Sequence, residues 1–195
     1  MLGLNLKTDP YWAKLVEAQN IEEILTDHAY CEMKAASQCM SLIQSYPEKK
    51  ELVEALMPIV TEEWGHFRMV LKELYSIGGS LGRQRKDSYV NLLIKKQPKT
   101  GGNREDQLLE RLMMCALIEA RSCERFKVLS DNIKDKNMAD FYYKFMISEA
   151  GHYRLFMDIA RKYFDSNRVK KRWETYLSLE SEVIKELSPR GDRVH

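Results

Sequence analysis

Apolar residues recur at alternating spacings of three and four along four long stretches of the chain, the signature of helices that each bury one face. Alternation of period two is never sustained, so no strand is predicted. Breakers set the ends. Asp9-Pro10 opens a short first helix reaching about Gln19, Asn20 caps a second from about Ile21 to Tyr46, and Pro47 stops it. A third runs from about Glu48 to Ile77, ended by Gly78-Gly79, with Pro58 inside it predicting a kink. Three more follow, from about Glu105 to Asn132, Asp135 to Phe164 and Asn167 to Leu187. Between about 78 and 104, Gly82, Pro98, Gly101 and Gly102 surround one amphipathic piece, YVNLLIKK, which reads as a crossover with at most a short helix.

The seams of the four long helices carry an unexpected residue type. The second helix runs through Leu25, His28, Glu32, Cys39 and Leu42, and the third through Leu56, Ile59, Glu63, His66 and Val70. The next two give Leu112, Cys115, Glu119, Ser122 and Phe126, then Tyr142, Phe145, Glu149, His152 and Phe156. Each apolar seam has a glutamate in its middle. The pattern also repeats: Glu32 to Glu119 is 87 residues, Glu63 to Glu149 is 86, and His66 to His152 is 86, with EEWGHFRMV and SEAGHYRLF around the histidines. One helical hairpin used twice predicts an all-α four-helix bundle, with the first and last helices outside it. A single domain over 1–195 is expected, with a polar tail from about 188.

A carboxylate buried in an apolar seam costs several kcal/mol as an ion unless a cation is near it. Four at similar depth call for one common cause, and two divalent metal ions supply it, balancing about four negative charges while two neutral imidazoles complete the coordination. One Glu from each of two helices and a Glu-x-x-His from each of two others is the ligand pattern of ferritin-like dimetal proteins. The predicted ligands are Glu32, Glu63 and His66 from one hairpin and Glu119, Glu149 and His152 from the other. Chance alone gives about 0.4 Glu-x-x-His pairs in a chain with four His and 19 Glu, so the weight lies in the conjunction of pair, seam and repeat. His28, one turn before Glu32, is read as a hydrogen-bonded core histidine rather than a further ligand or a donor supporting one. Gly65 and Gly151, just before the histidines, are read as tight packing ahead of room for a ligand. Tyr30, Tyr142 and Tyr153 are conceivable radical sites that nothing in the sequence separates. His195 and the Arg-Gly-Asp at 190–192 are read as incidental.

Composition narrows the class. Of 195 residues, 44% are apolar and 31% charged, enough for a sizeable core, and nine Gly with five Pro disfavour a turn-rich fold. No apolar run approaches the roughly 18 residues of a membrane span, and MLGLNLKTDP lacks the features of a secretory leader, so a cytoplasmic protein without membrane partners is expected. Cys31, Cys39, Cys115 and Cys123 form no Cys-x-x-Cys pair and are read as buried thiols. With 31 basic against 29 acidic residues, any basic surface must be local.

LIEARSCERF at 117–126, SEAGHYRLFMDIA at 148–160, TEEWGHFRMVLKEL at 61–74, RKDSYVNLL at 85–93 and the opening LKTDPYW resemble the bacterial tRNA 2-methylthio-N6-isopentenyladenosine hydroxylases over nearly the whole chain. The resemblance implies an oxygen-dependent, non-haem di-iron monooxygenase that hydroxylates a terminal methyl of the isopentenyl group next to the anticodon. All six metal-ligand positions match. It further implies two iron ions (the ligands accept manganese too), a tRNA substrate, O2 and a separate electron-donating reductase, since no flavin motif is visible. For tRNA phosphates, the crossover offers Arg83, Arg85, Lys86, Lys95, Lys96 and Lys99, and the last helix opens with Arg168, Lys170, Lys171 and Arg172. The competing reading is iron oxidation and storage on the same bundle.

Overall fold

The computed structural model describes residues 2–18, 21–98, 102–188 and 190–195. Among them are seven helices and no strand: α1 (Tyr11–Ala18), α2 (Ile21–Ser45), α3 (Lys50–Ser76), α4 (Ser88–Lys96), α5 (Arg104–Asn132), α6 (Lys136–Tyr163) and α7 (Ser166–Glu186). The short helix allowed in the crossover is α4. The predicted cap Asn20, the end at Gln19 and the loop residue Gly101 lie outside the described residues.

Side-chain caps explain most of the starts. Asp9 accepts from the Tyr11 amide at 2.8 Å, Asp87 from Val90 at 3.0 Å, and Asn103 from Asp106 at 2.7 Å. Asp135 accepts from Asn137 and Met138, and Asp165 from Asn167 and Arg168, each satisfying two amides that lack a partner in the first turn. Helix α3 continues through Pro58 and ends at two glycines with different tasks. Gly78 takes a φ of 80°, which favours glycine. A Cβ on Gly79 would come within 2.7 Å of the Leu74 side chain, so the chain passes too close for one.

Two compact units result, one of residues 15–86 and 190–194, the other of residues 1–14, 87–189 and 195. In the first, α2 and α3 pair as a hairpin; in the second, α5 and α6 do so, and α7 lies against α5, α4 and α6. Within each hairpin the seams are buried as expected, with Leu25, Leu42, Leu56 and Val70 in one and Leu112, Phe126, Tyr142 and Phe156 in the other. Ile77, the last seam position of α3, is exposed instead, because the helix has already ended at Ser76.

Helix α5 departs from a one-face reading. Besides its seam it buries Glu110, Arg121, Glu124 and Arg125. These charges are matched within the same unit: Arg121 donates to Glu124 at 2.7 Å, to Glu180 of α7 at 2.8 Å and to the Leu6 carbonyl at 3.0 Å. Glu124 accepts from the Thr8 amide and hydroxyl at 2.7 and 2.6 Å, and Arg125 lies 4.4 Å over the Trp12 ring. Glu110 accepts from the Tyr176 hydroxyl at 2.9 Å and pairs with Arg172 at 3.0 Å.

The tail is not a loose polar end. Val194 is fully buried, its amide donates to Asp27 at 2.9 Å, and Arg193 lies 3.7 Å from the same carboxylate. The ring of His195 stacks on Tyr89 with centroids 5.0 Å apart and sits 2.9 Å from the Ser122 hydroxyl, so this residue is structural rather than incidental. Removing Val194 and His195 is expected to lower stability by about 2 kcal/mol, mostly the buried valine, which urea denaturation of the truncated chain measures.

Candidate metal centre

In the 15–86 unit the helical period places Glu63 and His66 on one face of α3, and hairpin pairing brings Glu32 of α2 to them. His66 Nδ1 lies 3.3 Å from Glu63 Oε2 and 3.4 Å from Glu32 Oε2. The other hairpin repeats the arrangement: His152 Nδ1 of α6 lies 3.9 Å from Glu149 Oε2 and 4.0 Å from Glu119 Oε2 of α5. Within each set, one donor atom per residue lies within 4.8 Å of the others. The same ring nitrogen faces the same kind of carboxylate pair in both hairpins. All four glutamates and His152 are buried, while the His66 side chain is 12% exposed.

The electrostatics of the first set describe what a cation would relieve. Burial, and then the Glu63 charge, push the Glu32 carboxyl well above its usual range. Burial works against charging His66, but hydrogen bonding to Glu32 and Glu63 outweighs it and lifts the imidazole to about 10. A proton on His66 therefore balances the two carboxylates, with its stabilisation complete below the ordinary imidazole range and lost as pH rises through about 10. A divalent ion in the same place would displace that proton and satisfy both carboxylates at once. Two carboxylates and one imidazole, all oxygen and nitrogen donors, suit a first-row divalent metal such as iron or manganese.

His28 is closer to the chemistry than its reading as a core residue suggests. It is fully buried with Nε2 2.7 Å from Glu32 Oε1, and burial, followed by the nearby His66 charge, lowers it to about 3. A neutral imidazole thus lies against the far oxygen of a candidate ligand, whose Oε2 is turned toward His66. Its seam position one turn before Glu32 was the signal. The glycines overturn the packing reading, since a Cβ on Gly65 or Gly151 would meet nothing within 4 Å. Space beside each histidine is open there. Of the thiols, Cys39 and Cys123 are buried, whereas Cys31 and Cys115 are only half-buried. Tyr142 is buried, Tyr153 is half-buried, and Tyr30 donates to the Gly82 carbonyl at 2.7 Å.

The basic candidates divide by what they already hold. Arg85 pairs with Glu23 and Asp192, and Lys96 with Glu186 and Glu182. Arg168 pairs with Asp106 and Arg172 with Glu110. Arg83, Lys86 and Lys95 are exposed, as are Lys170 and Lys171. Lys99 lies outside the described residues. No helix among the described residues is long and apolar enough to cross a membrane.

Comparison with known proteins bears directly on this donor pattern. The model of the tRNA-(MS2IO6A)-hydroxylase (MiaE) family matches residues 3–195. A tRNA 2-(methylsulfanyl)-N(6)-isopentenyladenosine(37) hydroxylase of Pseudomonas putida is 31% identical over 93% of this chain and 86% of its own length. One of the same name from Salmonella typhimurium is 27% identical over 89% of this chain and 79% of its own. A solved protein from Synechococcus with aldehyde deformylating oxygenase activity superposes with a TM-score of 0.90 at 28% identity, covering 98% of this chain and 94% of that one. The fold is the expected all-α, ferritin-like one. Because one such fold accompanies two different oxygenase names, it does not by itself select a substrate, and the sequence match does the selecting. The chain belongs to the tRNA-(MS2IO6A)-hydroxylase (MiaE) family.

Proposed function

We propose that the chain is a single-domain, cytoplasmic tRNA-modifying monooxygenase that hydroxylates the isopentenyl group of 2-methylthio-N6-isopentenyladenosine next to the anticodon. The observation that carries this reading is the duplicated donor set, with a histidine Nδ1 within 4.0 Å of two buried carboxylates in each hairpin. Glu32, Glu63 and His66 together with Glu119, Glu149 and His152 would hold two iron ions. When bound, that pair supplies the reduction of O2 and the oxidising power to replace a methyl C–H by C–OH.

The chain's own residues hold, orient and exclude. His28, fully buried with Nε2 2.7 Å from one oxygen of Glu32, limits by contact how that carboxylate can turn. Burial of the glutamates keeps bulk water from a reactive oxidant. No side chain is required to break the substrate bond. Two electrons come from a separate reductase. The exposed Arg83, Lys86 and Lys95 of the crossover are assigned to tRNA phosphates, with Arg85 and Lys96 already engaged within the chain.

Nucleoside mass spectrometry tests this. Iron-loaded protein, O2, a reductant and tRNA bearing the prenylated adenosine are expected to yield that nucleoside with one added oxygen, and metal analysis to give two irons per chain. An unchanged nucleoside from fully loaded protein refutes the assignment, and a cage-sized particle on size exclusion favours storage instead.

A further inference from the structure

Helix α3 presents to solvent a set of residues that neither its core nor its metal ligands require. At 100° per residue, positions 57, 61, 64, 68, 72 and 75 fall within about 80° of arc, and all six are exposed. They are Met57, Thr61, Trp64, Arg68, Lys72 and Tyr75. Trp64 is 49% exposed, yet its ring is stacked on buried Phe67, with centroids 4.9 Å apart and planes 29° from parallel. Arg68 and Lys72 flank it one and two turns on, with no ion pair among the described residues. Tyr75 closes the row at 56% exposure.

The internal repeat provides a control within one molecule. Eighty-six residues later, α6 keeps the ligands as Glu149 and His152 but replaces Trp64 by Ala150, Lys72 by Asp158 and Tyr75 by Arg161. Only the arginine survives, as Arg154, and its Nε is spent on the Ala150 carbonyl at 3.0 Å. Asp158 and Arg161 pair with each other at 2.9 Å. Holding metal donors on the second helix of a hairpin therefore does not demand the Trp64, Lys72 and Tyr75 of α3, although α6 carries an exposed aromatic of its own, Tyr143, at the position of Met57.

Stacking rings beside unpaired cations are the chemistry that grips unpaired nucleotides: bases lie on aromatic faces and phosphates meet the charges. Around α3, Trp64, Gly65 and His66 follow one another at 100° steps. His66 thus lies about 160° around the helix from Trp64 by the shorter arc, and on the longer one, through Gly65, a Cβ would meet nothing within 4 Å. His66 is also the most exposed of the six candidate ligands. We infer that the Trp64, Arg68, Lys72 and Tyr75 face of α3 is the docking platform for the anticodon loop, with Trp64 stacking an unpaired base of that loop. This rests on the tRNA reading above and adds to the crossover a surface that the basic-residue pattern did not indicate.

The test titrates iron-loaded protein with tRNA carrying the prenylated adenosine and reads both affinity and indole emission. Trp12 and Trp173 are buried, at 1% and 8% exposure, so quenching by RNA reports chiefly on Trp64. Quenching is expected, as is a loss of affinity of about tenfold or more in Trp64→Ala, with Trp64→Phe within about threefold of wild type. Arg68→Glu with Lys72→Glu is expected to lower the slope of log affinity against log salt by about 2. Iron content and melting temperature are measured alongside to show that each variant folds. If wild type binds tRNA without quenching, or Trp64→Ala binds within about twofold of it, the platform is refuted while the tRNA reading stands. If wild type binds no tRNA at all, both fall together.

Discussion

Glu119→Ala is expected to leave the chain folded but to lower metal affinity at its hairpin, and hydroxylation with it, by at least about 100-fold. Losing only a hydrogen-bond partner of a metal ligand typically costs 10–100-fold, and here a donor itself is removed. The two sides of that substitution have opposite signs. In the metal-free chain Glu119 is a buried carboxyl within 4.8 Å of donor atoms of Glu149 and His152, so its charge is a burden there. The volume-conserving Glu119→Gln should therefore melt within about 1 kcal/mol of wild type without metal. Wild type should gain about 2.7 kcal/mol from iron at a hundredfold excess over its dissociation constant, and the variants much less. Thermal melts with and without Fe(II), beside iron analysis and nucleoside mass spectrometry, separate these effects. Equal iron-dependent stabilisation in wild type and variant would remove Glu119 from the ligand set.

Arg121→Met is expected to produce the largest loss of stability of any single substitution considered, about 3–5 kcal/mol, because it strands partners rather than merely deleting a contact. Arg121 is fully buried and meets Glu180, Glu124 and the Leu6 carbonyl. Without it Glu180 keeps, among the described residues, only the long 3.4 Å contact from the Tyr89 hydroxyl, while Glu124 retains two bonds from Thr8. Burial already pushes the Glu180 carboxyl above its ordinary range even with the guanidinium opposing it. The double variant Arg121→Met, Glu180→Leu should recover most of the loss, since replacing both members of a buried pair by apolar groups is close to neutral. Urea denaturation checks this, with the midpoint shifting and the slope unchanged. A single-variant loss below about 1 kcal/mol would mean that water or backbone readily satisfies the freed carboxylate.

These two residues lie two positions apart on α5 and differ in how they could be found. Glu119 breaks an apolar seam, and its spacing to Glu149 mirrors that of Glu32 to Glu63, so helical period alone exposes it. Arg121 sits in an ordinary stretch of charges, and its partner Glu180 is 59 residues away on another helix. Nothing local distinguishes it from a solvated arginine. The same holds for the crossover cations: composition marks Arg85 and Lys96 as available, and only the fold shows them paired with Glu23 and Glu186. Trp64 is the converse case, an aromatic next to a ligand that periodicity passes over and exposure brings out.

Sequence alone determined the long helices, the cap at Asp9, the repeat and the six candidate donors, because each depends on residues within one or two turns or on a pattern written twice. Tertiary structure decided what α5 does with its second face, that the tail buries Val194 and stacks His195 on Tyr89, that Gly65 and Gly151 border open space, and which cations among the described residues remain unpaired. Those outcomes depend on groups tens of residues apart meeting in space. Burial there turns the same charged side chain from a solvated surface group into one that must find a counter-charge or destabilise the fold.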